Sequence, residues 1–407
     1  MGGSNQRNAD AARHRQGAAR RGLVVGAALH VGLLAMLCAW PVAAAERIPG
    51  DQHLSPQVQV WRGEWTRTDF AKASVDFREI ISGGPPRDGI PPIDKPAFVS
   101  NAEAAVWLEA GEPVLVVERG ADVRAYPLQV LIWHEIVNDT VGGDPLVITF
   151  CPLCNSALVF DRRVEGRVLD FGTTGKLRNS DLVMWDRQTE SWWQQLTGTG
   201  IVGAYTGTTL TFLPAPLVAF ATYRQAFPQG KVLSRETGHF RPYGINPYED
   251  YDSPENTQPF LMRSAVDARL PATERVVALE RGSVARAYPY RLLAPLGAVN
   301  DRLGGEAVVV FFTAGTRSAL AGRVIGESRE VGSGAVFARK LEGRELTFVR
   351  SEAGRWLDEQ THSTWNQFGH ATAGPLLGKR LTPLPHGNHF AFAWLAFRPD
   401  SSIWSAP

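Results

Sequence analysis

Val147-Ile-Thr-Phe-Cys-Pro-Leu-Cys-Asn-Ser-Ala-Leu-Val-Phe160, with Trp133-His134-Glu135 just upstream, is the stretch that decides how this chain is read. It joins two apolar runs of β type through a Cys-x-x-Cys turn. Leu146–Phe150, Val114–Val117 and Val308–Phe312 are short apolar runs bounded by Gly, Pro or Asp, the pattern of buried strands. Pro152 fixes its own φ and has no N–H to satisfy. Asn155 tolerates the left-handed backbone that such a turn needs after its second cysteine. Both sulfurs then face one side of the loop.

Outward from this stretch the sequence repeats. Glu118-Arg119-Gly120 returns as Glu280-Arg281-Gly282, and Arg124-Ala-Tyr-Pro127 as Arg286-Ala-Tyr-Pro289. Asn138-Asp139 returns as Asn300-Asp301, and Ser156-Ala157-Leu158 as Ser318-Ala319-Leu320, all at a displacement of 162 residues. A series in one register points to an internal duplication. Later matches, such as Asp186-Arg-Gln-Thr with Asp358-Glu-Gln-Thr, are shifted by insertions. The expected fold is α+β and predominantly β, with two tandem homologous β-rich units, 113–232 and 276–400. A connecting segment, 233–275, joins them, and a leader, 46–112, precedes them. Gly120 and Gly282 are expected at hairpin turns. Asn101–Glu109 is expected to be a helix capped by Ser100, and Pro127 and Pro289 to open short helices.

Residues 1–45 read as a signal peptide. Arg13, Arg15, Arg20 and Arg21 precede an apolar run from Gly22 to Ala39, and Ala43-Ala44-Ala45 offers cleavage before Glu46. The expected location is periplasmic or extracellular, with membrane attachment only through an uncleaved signal segment. Cys38 falls inside the run, so the mature chain would carry two cysteines into an oxidising compartment. With 42 basic and 41 acidic residues, no bulk charge points to nucleic acid.

The repeat provides an internal control. Residues that serve the shared fold should persist in both copies, whereas residues that serve chemistry can decay in one. His134 falls on Leu296, Cys151 on Thr313 and Cys154 on Thr316. All three vanish together, while Tyr126, Asn138 and Asp139 keep their counterparts; Asp139 therefore reads as structural. The expectation is a mononuclear Cys2His site of Cys151, Cys154 and His134, holding zinc or copper, with His239 or Met184 as a possible fourth ligand. Glu135 could supply an acid or base beside the ion.

The stretch Gly172 to Met184 is also particular to the first copy. It lacks the spacing of a phosphate loop, so no nucleotide cofactor is expected. Lys176, Arg178, Asp181 and Trp192 are its candidate substrate contacts, with Trp185 and Trp193 nearby. Two other functions compete with metal-dependent chemistry or metal handling. One is thiol–disulfide exchange by Cys151 and Cys154; the β-type flanks argue against the helix-terminus arrangement of thioredoxin-like proteins. The other is a non-catalytic module that binds a small molecule, glycan or protein through the surface near Trp192. His362, His370, His386 and His389 read as surface residues.

Several motifs are similar to those of a known family. Gly83-Gly-Pro-Pro-Arg-Asp-Gly-Ile-Pro-Pro-Ile-Asp94, Trp133-His-Glu-Ile-Val-Asn-Asp139, Phe150-Cys-Pro-Leu-Cys154 and Phe171-Gly through Asp186-Arg-Gln-Thr resemble the domain-of-unknown-function family numbered 3179. The resemblance covers most of the mature chain. It implies an exported protein and supports grouping His134 with the cysteines, and it brings no reaction with it.

Overall fold

Hairpins build this molecule, and glycine turns set their register. Gly120 (φ 59°) closes the hairpin Pro113–Arg119/Asp122–Pro127, and Gly282 (φ 61°) closes Arg275–Arg281/Val284–Pro289. The positive φ suits glycine, and both turns connect their strands by two residues. The computed structural model describes residues 55–351 and 355–406. The proposed signal peptide, its cleavage site and Cys38 lie outside the described residues. Among those described, no helix is long and apolar enough to cross a membrane.

The described residues are mostly strand, gathered into twisted sheets. In the first half, Leu217–Ala219, Pro113–Arg119, Asp122–Pro127 and Lys231–Leu233 lie side by side, the last pair parallel. In the second half, Gly387–Phe390, Arg275–Arg281, Val284–Pro289 and Ser402–Ile403 take the same order, again with the last pair parallel. Ile136–Val141 pairs with Asp144–Cys151 and then Ser156–Asp161. Ala298–Leu303, Glu306–Thr313 and Ser333–Ala338 follow suit.

The shared polar pairs also sit alike. Asp139 accepts hydrogen bonds from Arg124 (2.8 Å) and from the Tyr126 hydroxyl (2.5 Å), and Asp301 accepts from Arg286 and the Tyr288 hydroxyl. Trp193 Nε1 donates to Asp186, and Trp365 Nε1 to Asp358, each over 2.9 Å. A buried indole must spend its N–H, and this aspartate accepts it.

The leader is not a free-standing segment. Its strand Ile80–Ser82 extends the sheet of Phe171–Arg178, Asp181–Asp186, Trp192–Gln194 and Thr199–Val202, and Phe98–Ser100 pairs with Lys231–Leu233. Its helix Pro56–Glu64, capped by the Ser55 side chain, lays Trp61 against Trp192 (centroids 5.0 Å apart). Trp65, Phe70 and Phe77 complete this apolar cluster. Trp192 is consequently fully buried, so the expected aromatic surface there does not exist. Each such ring removes roughly 150–250 Å² from water, which welds the leader to the first half. His386 and His389, expected at the surface, are buried as well.

Three helices differ from expectation. The one after Ser100 spans only Asn101–Ala104, because its capping box with Glu103 starts a helix that the following turns do not continue. Pro127 and Pro289 are the caps of Leu128–Leu131 and Tyr290–Leu296, not their first turn.

Removing the Asp139 carboxylate leaves Arg124 paired only with Asp122 and leaves the buried Tyr126 hydroxyl without its acceptor. Asp139→Ala should lower stability in chemical denaturation by about 3 kcal/mol. Asp301→Ala, at a more exposed site, should cost less.

Candidate metal centre

The Cys-x-x-Cys turn forms as its residues dictate. Strand Asp144–Cys151 ends at the first cysteine, Pro152–Cys154 makes one 3₁₀ turn, and Asn155 follows at φ 49°, ψ 37°. Cys151 then pairs with Ser156 across the turn, which starts the return strand. The sulfurs emerge together and face a second hairpin. There, Phe171–Arg178 and Asp181–Asp186 meet at Asn179-Ser180, both in the left-handed region (φ 50° and 63°). This tip turns the Ser180 carbonyl toward both sulfurs, 3.8 Å from Cys151 Sγ and 3.5 Å from Cys154 Sγ.

Asp181, the first residue of the return strand, brings its carboxylate to the same point. Its Oδ2 accepts from Gln194 Nε2 (2.6 Å) and from the Leu196 N–H (3.0 Å). Its Oδ1 is buried and accepts from no N–H or O–H; the two thiols are the groups that hydrogen-bond the carboxylate there. One ligating atom each from Cys151, Cys154 and Asp181 lies within 4.8 Å of the others, and all three residues are buried. Tetrahedral ligands about 2.3 Å from an ion stand a little under 4 Å apart. The set therefore needs only small movements to close on one ion.

The charges in this pocket are one-sided. Burial pushes the Asp181 carboxyl up to about 6 and the Cys154 thiol well above its ordinary value; Cys151 moves the same way. Glu135, held at φ 58° beside the turn, is pushed by burial, and then by Asp181, up to about 8. The strongest influences on all four groups are burial, neutral hydrogen bonds and one another; no lysine or arginine appears among them. Four ionised acids cannot share a dry site, so they keep their protons or share a cation.

His134 does not join this set. Its Nδ1–H donates to the Pro91 carbonyl (2.7 Å), and its Nε2 accepts from the Tyr243 hydroxyl (2.7 Å). Both ring nitrogens are thus spent, and burial lowers the imidazole to about 4, so it is neutral. His239 lies near it, with ring centroids 5.6 Å apart and the rings tilted by 52°, and is exposed to solvent. Met184 is buried in its strand, paired with Thr173 and Trp193. The third member of the cluster is instead Asp181, which the sequence placed in a substrate loop. Its only sequence signal was membership of a stretch that the second copy lacks.

The other loop residues serve the fold. Lys176 Nζ lies 5.3–5.7 Å from the ring centroids of Trp61, Trp65 and Trp192 and pairs with Glu64. Arg178 pairs with Glu79. In the second half, Thr313 and Thr316 replace the cysteines, and Thr316 hydrogen-bonds Ser333 (3.0 Å). Counting back from Asp358 in the sequence, the position of Asp181 falls on Ala353.

Part of the connecting segment covers the centre. Ser180 Oγ donates to the Phe260 carbonyl (2.6 Å), and Trp133 Nε1 to that of Ile245 (3.2 Å). Tyr248, Tyr251 and Met262 pack on the core that holds the sulfurs.

Because Asp181 and Glu135 hold protons more tightly when folded than their ordinary values of 3.8 and 4.5, the metal-free protein gains stability from them fully only below about pH 4. That stability should drain away as pH rises through about 6 and then about 8. In urea titrations of chelator-treated protein, Asp181→Asn should flatten the lower part of this decline and Glu135→Gln the upper. The loss from Asp181 alone is on the order of 3 kcal/mol.

No curated protein and no solved structure matches the sequence. One family model does, described as a protein of unknown function (DUF3179), and it spans residues 87–401, from the Pro-rich approach to His134 through both halves and nearly to the C-terminus. The chain therefore belongs to the DUF3179 family.

Proposed function

We propose that this is an exported metal-binding protein that holds one divalent ion between Cys151 Sγ, Cys154 Sγ and Asp181 Oδ1. The observation that carries this reading is the buried Asp181 carboxylate, one oxygen of which meets only two free thiols, with no cationic side chain among the main influences on the group. A divalent ion would replace the protons, bring two thiolates and a carboxylate close to neutrality, and give the Asp181 oxygen a stronger partner than a thiol. Two thiolates with one carboxylate suit zinc better than Cu(I), which favours a further soft ligand. Glu135 and the Ser180 carbonyl stand nearest to complete the coordination.

The lack of solvent access supports metal holding beneath a cover over open catalysis. The raised thiols disfavour disulfide exchange, which needs an exposed thiolate of lowered pKa. In an oxidising compartment a bound ion would keep two adjacent thiols from closing on each other. The second half, which lacks all three ligands in sequence, fits a duplicated copy kept for its framework.

Protein expressed with zinc should carry about one equivalent by elemental analysis. Cys151→Ser, Cys154→Ser and Asp181→Asn should each lose most of it, whereas His134→Ala should keep it. Metal-free wild type, or equal loss from His134→Ala and Cys151→Ser, would overturn the assignment.

A further inference from the structure

One buried polar residue of the second half stands where the first half has valine. Val218 pairs with Val114, and His389 pairs with Val276, which lies 162 positions on from Val114. The residues beside the imidazole are trimmed as well. Gly387 stands at the place of Pro216, and its strand partner Ala278 at that of Val116. A Cβ at Gly387 would come within 2.0 Å of His389 Nε2, so only glycine lets the ring lie across the strand.

Gly387, His389 and Ala278 lie on one face of their sheet, and the strand Gly387–Phe390 packs on Ser156–Asp161 of the first half. Between the halves this leaves a cleft of about 310 Å³, at the lower end of the roughly 300–1,000 Å³ of small-molecule sites. Leu158, Leu196 and Phe212 line it from the first half, and Ala278, His389 and Trp394 from the second. The imidazole is stacked on Trp394, with centroids 5.6 Å and planes 14° apart. Its Nδ1 is sealed in the core and its Nε2 is not, and neither has a hydrogen-bond partner among the described residues. Burial, and then His386, lower the group to about 3, so it is neutral and carries one N–H and one lone pair. A polar group left in that state in a core is costly, and the valine at the same place in the first half avoids the cost.

We propose that this cleft between the halves binds a small neutral phenol, its ring against the apolar walls and its hydroxyl on His389 Nε2. A hydroxyl both donates and accepts, so it suits either tautomer of the imidazole. A phenolic O–H, with a pKa of about 10, is a stronger donor to a nitrogen lone pair than an aliphatic one. A carboxylate would call for a protonated imidazole. Charges at the mouth are already matched, since Arg398 donates to Glu280 (2.8 Å) and Arg281 to Glu306 (2.6 Å), so a charged ligand finds no free partner there. Aromatic and leucine walls suit a flat ring, and the volume suits a molecule of one ring. This proposal does not rest on the metal reading.

The test is titration of the full chain with phenol, p-cresol and resorcinol, with toluene and benzoate as controls, followed by calorimetry and by protein NMR shifts. At least one of the phenols should bind saturably, with a dissociation constant of about 1 mM or tighter, and both controls at least about tenfold more weakly. His389→Val, which installs the residue that the first half has at this place, should weaken phenol binding at least about tenfold and leave the thermal midpoint unchanged or raised. Thr209→Trp, at an exposed position on the mouth, should block binding without touching the core and serves if the first variant fails to fold. Absence of saturation by all three phenols at about 10 mM, toluene or benzoate binding as tightly as they do, or undiminished binding in both variants would overturn the proposal.

Discussion

The grip of Gln194 and the Leu196 N–H on the Asp181 carboxylate is the constraint on which the centre depends. Those two bonds hold one oxygen and leave the other facing the sulfurs. Without them a buried aspartate at a hairpin tip would swing away toward water or lose its charge. With them, the first half commits a carboxylate, two thiols and the nearby Glu135 to one dry pocket. Every other feature of the region follows from tolerating that concentration of acids.

The covering elements make the pocket dry. Residues on the connecting segment bond the hairpin tip and pack on the sulfur-bearing core, while the leader's tryptophans seal the opposite face of the same sheet. The hairpin is therefore sandwiched between two segments that lie outside the repeat.

His134 shows how a sound inference from sequence can select the wrong atom. In sequence it is grouped with the cysteines, because none of the three recurs at the repeat spacing. Its role, however, is to bind the Pro91 carbonyl and the Tyr243 hydroxyl, and so to anchor the leader and the connecting segment beside the site. A histidine and a pair of cysteines that disappear together need not touch the same ion. They need only serve the same place.

The sequence by itself determined the strand-rich character, the two-residue turns at Gly120 and Gly282, the left-handed Asn155 and the structural role of Asp139. Each of these follows from local sterics or from a pairing repeated at constant spacing. It also singled out Cys151 and Cys154, because the Cys-x-x-Cys turn has no match at the spacing where the surrounding motifs recur. Tertiary structure alone decided that Asp181 completes the set and that Trp192 is buried. It also decided that the connecting segment bonds residues of both halves, Ser180 through Phe260 and Arg275 through Asp252. These depend on which residues meet after the chain has folded back on itself, and hydrogen bonds such as that from Leu196 to Asp181, 15 positions apart, have no signature in residue order. Periodicity reports which face of a strand is apolar; only packing reports what comes to lie against it.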